Sequence, residues 1–393
     1  MRQFHSHEMA REFPLLASTG AAAVLVGGRT FHSFFGLGIL EGGPAATVER
    51  AARNRMVIKR LKAAKGIVID EISMLSGPVL RVAEVIARRV RGSELPWGGL
   101  RVIAVGDFAQ LPPVERDASR GGGWAFLDPV WEMSSFIVHQ LATQVRCKDP
   151  VYMDLLSQIR IGQIDRSVIE YLDEKLNSDR AKFQGTRLFA RRDQTDRFND
   201  ERLAELGGRL FTIDTVISGD ARGIETLFRQ APIPPSLRLK EGALVMIRQN
   251  DPVGRWVNGS TGRLIKIQTG KLSIELISGG RVGRTVELEK ATFTALDGDG
   301  FPIATATNFP VSLAWATTIH KAQGATLEQM EVDLSNLWEP GHAYVALSRL
   351  TSGDGLQLSA WRRESIKVDP SVVEFYRTHS EHNRELGLPT LQW

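Results

Sequence analysis

Three short apolar runs constrain this chain more than any other feature. Leu15–Ala17, Ile67–Ile69 and Arg101–Val105 each lead into a loop, and none alternates apolar with polar residues. A half-exposed strand shows period two, whereas a continuous apolar run asks for cover on both faces, as in a parallel sheet flanked by helices. The covering helices are legible too: between Pro78 and Arg91, residues Val79, Val82, Val85, Ile86 and Val90 fall along one helical side. An α/β architecture is the expectation.

A second unit opens at Asp149, a suitable N-cap followed by Pro150. Tyr152, Leu155, Leu156 and Ile159 then recur at helical spacing, as do Ile164, Val168, Ile169, Leu172 and Leu176, and strand-like runs follow at Arg187–Phe189 and Leu244–Ile247. From Val257 to Pro310 the texture changes to short, largely period-two runs broken by glycines, which reads as a small all-β insertion. Asp369-Pro370 then opens a last helix with Val372, Val373, Phe375 and Tyr376. The expected boundaries are a first unit over 1–145 with a short insertion at 33–64, a second over 146–256 and 311–393, and the β insertion at 257–310.

Composition enters as an exclusion. With 393 residues, 42% apolar and 24% charged, the chain is not disordered or fibrous. Its apolar runs fall short of a membrane span. The lone cysteine, Cys147, forbids an intrachain disulfide and a cysteine-built zinc site, so a reducing intracellular compartment is expected: cytoplasmic in a bacterium, nuclear or mitochondrial in a eukaryote. A net charge of +4 permits a nucleic-acid partner without requiring one.

Chemistry concentrates in four segments. Ile67–Ile69 ends in Asp70-Glu71, and at the carboxyl rim of a parallel strand the first acid can hold Mg²⁺ while the second orients and deprotonates water. Apolar–Asp–Glu also occurs in many α/β proteins without such a role. The next strand runs into Gly106-Asp107-Phe108-Ala109-Gln110-Leu111-Pro112-Pro113, where Gln110 offers an amide to a γ-phosphate or water and Pro112 stiffens the loop. Ala316 to Thr326 gathers Thr318, His320, Lys321 and Gly324, suited to phosphate contacts. Arg349 follows the apolar Ala343–Leu347 run and can stabilise phosphoryl-transfer charge.

Order and spelling together resemble the Pif-type DNA helicases of superfamily 1B, similar in their motor to RecD-like chains. The matching pieces are Ala17–Ala22 with Gly28–Ser33, Asp70–Met74, Gly106–Pro113, Val145-Arg146 with Arg160 and Gly162, Thr318–Gly324 and Tyr344–Arg349. The resemblance implies two RecA-like domains, an SH3-like barrel in the second, and ATP hydrolysis with Mg²⁺ between them. It implies movement 5′ to 3′ on single-stranded DNA and at duplex junctions by a monomer that needs no membrane. Its implied catalytic set is Glu71, Gln110, Arg146 and Arg349. ATP would meet Asp70, Gln110, Gly324 and Arg349, with Asp70 the metal ligand. Thr19, Gly20, His32, Phe34, Pro112, Thr318, His320 and Lys321 would face DNA. Two of the aromatic assignments stay open: Phe34 and Phe35 either stack bases or fill the core, and Trp256 either touches DNA or is buried.

The family's phosphate loop, G-x-x-x-x-G-K-[ST], does not occur in these 393 residues, where the sole Gly-Lys pair is Gly270-Lys271. The expectation is an incomplete first domain, from amino-terminal shortening or, less in keeping with the retained acids and arginines, from natural decay. Negligible ATP turnover and an exposed sheet edge should follow. The alternative function is a non-catalytic single-strand-binding or regulatory remnant.

Overall fold

The computed structural model describes residues 11–38, 43–113, 123–141, 144–176, 183, 185–230, 233–251, 253–256, 258–277, 283–296 and 302–385. Two parallel four-stranded sheets organise it. In the first the order is Arg29–Thr30, Leu15–Ala17, Gly66–Asp70, Arg101–Ala104, with Ala17 opposite Asp70 and Ile69 opposite Ala104. Asp70 thus ends its strand, and Glu71 starts the turn beyond it. Leu16, Ile67 and Ile69 are fully buried, and the helix Gly77–Arg91 covers them with Leu80, Ala83, Ile86 and Ala87. One acid rides in that apolar face: Glu84 is fully buried, accepting from Arg88 Nε at 2.8 Å and from the Trp97 backbone N–H at 3.1 Å.

Continuous apolarity overstated the cover at one place. Among the described residues the Arg101–Ala104 strand has a neighbour on one side only, and Ile103 is 43% exposed. The run that reads as doubly covered is, among those residues, an edge strand.

The second parallel sheet runs Ala316–Thr318, Thr186–Phe189, Met330–Leu334, Leu356–Trp361. Between its strands lies an antiparallel region larger than the sequence suggested. A five-stranded sheet joins Thr285–Glu289, Lys271–Leu276, Thr261–Gln268, Leu244–Ile247 and Val311–Leu313. A three-stranded one joins Ala291–Leu296, Pro302–Asn308 and Val216–Gly219, and Phe211–Asp214 pairs with Ser236–Leu239. Leu244–Ile247, expected in the second α/β layer, is antiparallel to both its neighbours. All four of its residues are buried, so its pattern mimics a parallel strand. Trp256 is 4% exposed in this core, which places it inside the protein.

Two crossings tie the units together. Leu111, from the loop after Arg101–Ala104, is fully buried in the core of the second sheet. In return the helix Pro370–Glu385, expected in the second unit, sends Val372 and Phe375 into the first core, where Phe375 lies 5.4 Å from Phe108. The amphipathic pattern told which face would be covered but not by which sheet. Among the described residues, no helix is long and apolar enough to cross a membrane.

Candidate active site between two parallel sheets

Glu71 stands at the centre. The chain turns there with φ 53° and ψ 48°, left-handed backbone that a non-glycine residue rarely adopts and that is often held in place at a functional site. Gly106 allows the turn, because a Cβ there would lie 2.9 Å from the Ile72 nitrogen. Burial pushes the Glu71 carboxyl up, and the neighbouring Asp70 pushes it further. Asp70 is also raised by burial; its Oδ1 accepts from the Glu71 N–H at 3.1 Å. Two adjacent acids whose charge is poorly compensated suit a hard, oxygen-seeking cation such as Mg²⁺.

Gln323 reaches across from the second unit. Its Nε2 lies 3.4 Å from Glu71 Oε2 and 3.3 Å from Gln110 Oε1, so one amide donates to the acid and to the expected phosphate-sensing glutamine. Gly341 presses on the same loop: its φ is +82°, and a Cβ on it would meet the Gln110 carbonyl oxygen at 2.3 Å.

The arginines line the other wall. Arg349 is 2% exposed, with Nε donating to the Val345 carbonyl at 2.8 Å and Nη2 to Ser348 Oγ at 2.6 Å. Burial, and then the nearby Arg146 guanidinium, bring it down to about 10. Arg146 donates to Thr326 Oγ1 at 3.1 Å and to the Ser348 carbonyl at 2.9 Å, and burial lowers its pKa. Gln110, Arg146, Tyr344, Ser348 and Arg349 line a cleft of ≈170 Å³. Two guanidiniums forced together in a cleft, held mainly by neutral oxygens, are arranged to receive an anion.

A latch sits beside the cleft. Arg160 Nη2 pairs with Asp107 Oδ1 at 2.9 Å, and the Tyr376 hydroxyl donates to the same oxygen at 3.1 Å while accepting from the Phe108 N–H at 2.9 Å. The Arg160 guanidinium lies 4.3 Å over the Tyr376 ring. Burial raises Asp107, but the charge and hydrogen bonds of Arg160 prevail, and its carboxyl stays below the ordinary range.

A model of the PIF1-like helicase family matches residues 9–168. The ATP-dependent DNA helicase Pif1 of Bdellovibrio bacteriovorus is 48% identical over 377 residues, covering 96% of this chain and 84% of the relative. The chain belongs to the Pif1 helicase family. It is 34% identical to the Xenopus laevis PIF1 helicase over 92% of this chain and 56% of that one, so it spans just over half of such longer relatives. Among solved structures, a Bacteroides Pif1 in complex with ADP-AlF4 superposes with a TM-score of 0.83 at 26% identity, covering 97% of this chain and 90% of the other.

Two residues expected to face DNA in this Pif1-family chain are corrected by their surroundings. Phe34 is 3% exposed, its ring 5.1 Å from Phe35 and its carbonyl accepting from Arg60 Nε at 2.6 Å, so it offers no free face to a base. Thr318 is 6% exposed and its hydroxyl accepts from the Lys321 N–H at 3.2 Å, capping the Ile319–Ala322 helix. Thr19 accepts from the Ala22 N–H at 3.2 Å at the start of the Gly20–Val26 helix. His32 is half-buried, which lowers its pKa; Gly20 and Pro112 are half-buried as well. Gly324 is exposed at φ +77° with open space where a Cβ would stand, so backbone conformation explains this glycine. Lys321 is exposed, yet desolvation and then the charge of Arg192, with Arg248 adding to it, lower its pKa.

Sequence reasoning missed Gln323, Arg192 and Arg248. Gln323 lay inside a segment already singled out, and its position one residue before a glycine was the available signal. It also missed a cleft of ≈550 Å³ along the second sheet, where Arg187, Arg191 and Trp338 stand among the lining residues.

Proposed function

We propose that this chain is the motor of an ATP-dependent DNA helicase that moves 5′ to 3′ on single-stranded DNA, engaging single-strand–duplex junctions as a monomer. One observation carries the reading: Gln323 joins Glu71 to Gln110 across the two units, with Arg146 and Arg349 on the adjacent wall. A Bacteroides Pif1 crystallised with single-stranded DNA supports the choice of polymer.

In this reading Asp70 holds Mg²⁺, which when bound neutralises phosphate charge. Glu71, its pKa raised, takes the proton from attacking water. Gln110 senses the γ-phosphate, Arg146 and Arg349 stabilise the transferring group, and the Gly324 backbone lies close to nucleotide. Closure of the units then changes the grip on DNA at Thr19, Gly20, His32, Pro112, His320 and Lys321, reinforced by Arg192 and Arg248. Such contacts to phosphates make binding salt-sensitive and weakly sequence-specific.

The test compares phosphate release, with saturating single-stranded DNA, by the 393-residue polypeptide and by one extended with a strand–loop–helix carrying G-x-x-x-x-G-K-[ST]. Among the described residues the Arg101–Ala104 strand has a neighbour on one side only, so an added strand would pair there. Turnover is expected only in the extended polypeptide, lost on Glu71→Gln, with unwinding of duplexes bearing a 5′ tail. Turnover that survives Glu71→Gln contradicts the assignment, robust turnover by the 393 residues alone contradicts the need for the phosphate loop, and unwinding only from a 3′ tail contradicts the direction.

A further inference from the structure

We propose that His320, Glu339 and His342 form a binding site for a divalent transition-metal cation, with Zn²⁺ the best fit, separate from the Asp70 position.

The donor atoms are already gathered. Each side chain offers one, and all lie within 4.8 Å of one another. Glu339 Oε2 is 3.4 Å from His320 Nε2 and 3.3 Å from His342 Nε2. Zinc bonds of about 2.0–2.1 Å to imidazole and carboxylate make the edge of a tetrahedron about 3.3–3.4 Å. Two of the three edges therefore have the required length.

His342 supplies the independent observation. It is fully buried, and among the described residues neither ring nitrogen has a hydrogen-bond partner, although Nε2 stands so near Glu339. Buried polar atoms are ordinarily paired. Proximity without hydrogen-bond alignment is what a coordination site asks for, since ligand lone pairs converge on a point between the donors rather than on each other.

The donor set selects the cation. Two imidazoles and one carboxylate match zinc sites that keep a fourth position open, whereas Mg²⁺ and Ca²⁺ take oxygen ligands. His320 and Glu339 are 35% and 24% exposed at their side chains, which leaves a route in from solvent. A cation here would join the Ile319–Ala322 helix to the His342–Leu347 helix. Gln323 follows the first of these and Arg349 lies just beyond the second, so occupancy would fix the spacing of two cleft residues. The site itself stands whether or not the motor reading does.

The experiment uses the untagged 393-residue polypeptide, chelator-treated, with His5 and His7 changed to Gln to remove a competing pair outside the described residues. Titration with Co²⁺ should give one saturable equivalent with the visible bands of a tetrahedral ion, displaced by Zn²⁺, and Zn²⁺ should raise the melting temperature. Glu339→Gln and His320→Gln, both at partly exposed positions, should keep the circular dichroism spectrum and weaken Co²⁺ affinity by at least about 10–100-fold. His342→Gln serves as a third variant if it folds. Absence of saturable binding, or affinity unchanged in both Glu339→Gln and His320→Gln, overturns the site and leaves a carboxylate bridging two histidines.

Discussion

Arg160→Met tests whether the latch between the units has the energy its geometry implies. The substitution removes the 2.9 Å ion pair with Asp107 and the cation stacked 4.3 Å over Tyr376, while keeping most of the aliphatic stem. Asp107 is left with donors from the Ala109 N–H and the Tyr376 hydroxyl, both at 3.1 Å. Orphaning one member of a fully buried pair costs about 3–5 kcal/mol, whereas an exposed pair contributes about 0–1 kcal/mol. The two side chains are 18% and 20% exposed and two donors remain, which places the ionic part near 2 kcal/mol on that scale. The lost stacking adds about 0.5–1 kcal/mol, for roughly 3 kcal/mol in all.

At about 2–4 °C per kcal/mol for a unit of this size, the apparent melting temperature should fall by roughly 6–12 °C. Differential scanning calorimetry of wild type, Arg160→Met, Asp107→Asn and the double variant closes a cycle. The double variant should be more stable than Arg160→Met, because it buries no unpaired charge. The pH dependence has a definite sign. Asp107 is held below the ordinary carboxylate range, so its contribution is complete above the unfolded pKa and is lost as pH falls through the folded one. Without Arg160, burial dominates and the carboxyl rises, so the deficit of the variant is largest near neutral pH and narrows in acid. A fall below about 2 °C, or strict additivity in the cycle, would refute the reasoning.

Three further outcomes follow from the same structure. Glu71→Gln should stabilise the nucleotide-free protein, because a carboxylate whose folded pKa is raised carries its penalty above that pKa and none below the unfolded one; the gain in melting temperature should be full at pH 8 and vanish as the carboxylates protonate, and a loss at pH 8 contradicts it. Gly341→Ala must move its Cβ off the Gln110 oxygen at 2.3 Å and also strains a φ of +82°, so a melting temperature within a degree of wild type would show that the contact does not bind the units. Phe34→Ala should cost about 3–5 kcal/mol of stability as a core truncation, with single-strand affinity unchanged in fluorescence anisotropy wherever the variant is folded. Weakened DNA binding at intact stability would return Phe34 to the DNA face.

What could be read in advance divides along a physical line. Asp70 and Glu71 were legible because a run of buried residues ending in charge can lie only at a sheet's rim, and Asp149 because an N-cap is a local matter of one side chain and the following N–H groups, here Tyr152 at 3.1 Å. Leu244–Ile247 misled because apolar runs report burial on both faces and not the direction of the neighbours, and this strand is covered in an antiparallel sheet. The pattern of the Pro370–Glu385 helix leaves its unit undetermined for the same reason: Val372 and Phe375 declare that a face is covered, and only the folded chain supplies Phe108 to cover it. Gln323 and His342 are the strongest cases. An amide just past one short helix and an imidazole at the start of another carry no periodicity, so their value arises entirely from what the fold sets against them. For Gln323 that is an acid whose raised pKa and left-handed backbone are themselves invisible in sequence. For His342 it is a second histidine from the Ile319–Ala322 helix and a carboxylate from the bend before its own helix, brought within 4.8 Å. Chemistry that depends on a single segment's rim can be read from spelling, whereas chemistry assembled across segments has to be measured from the fold.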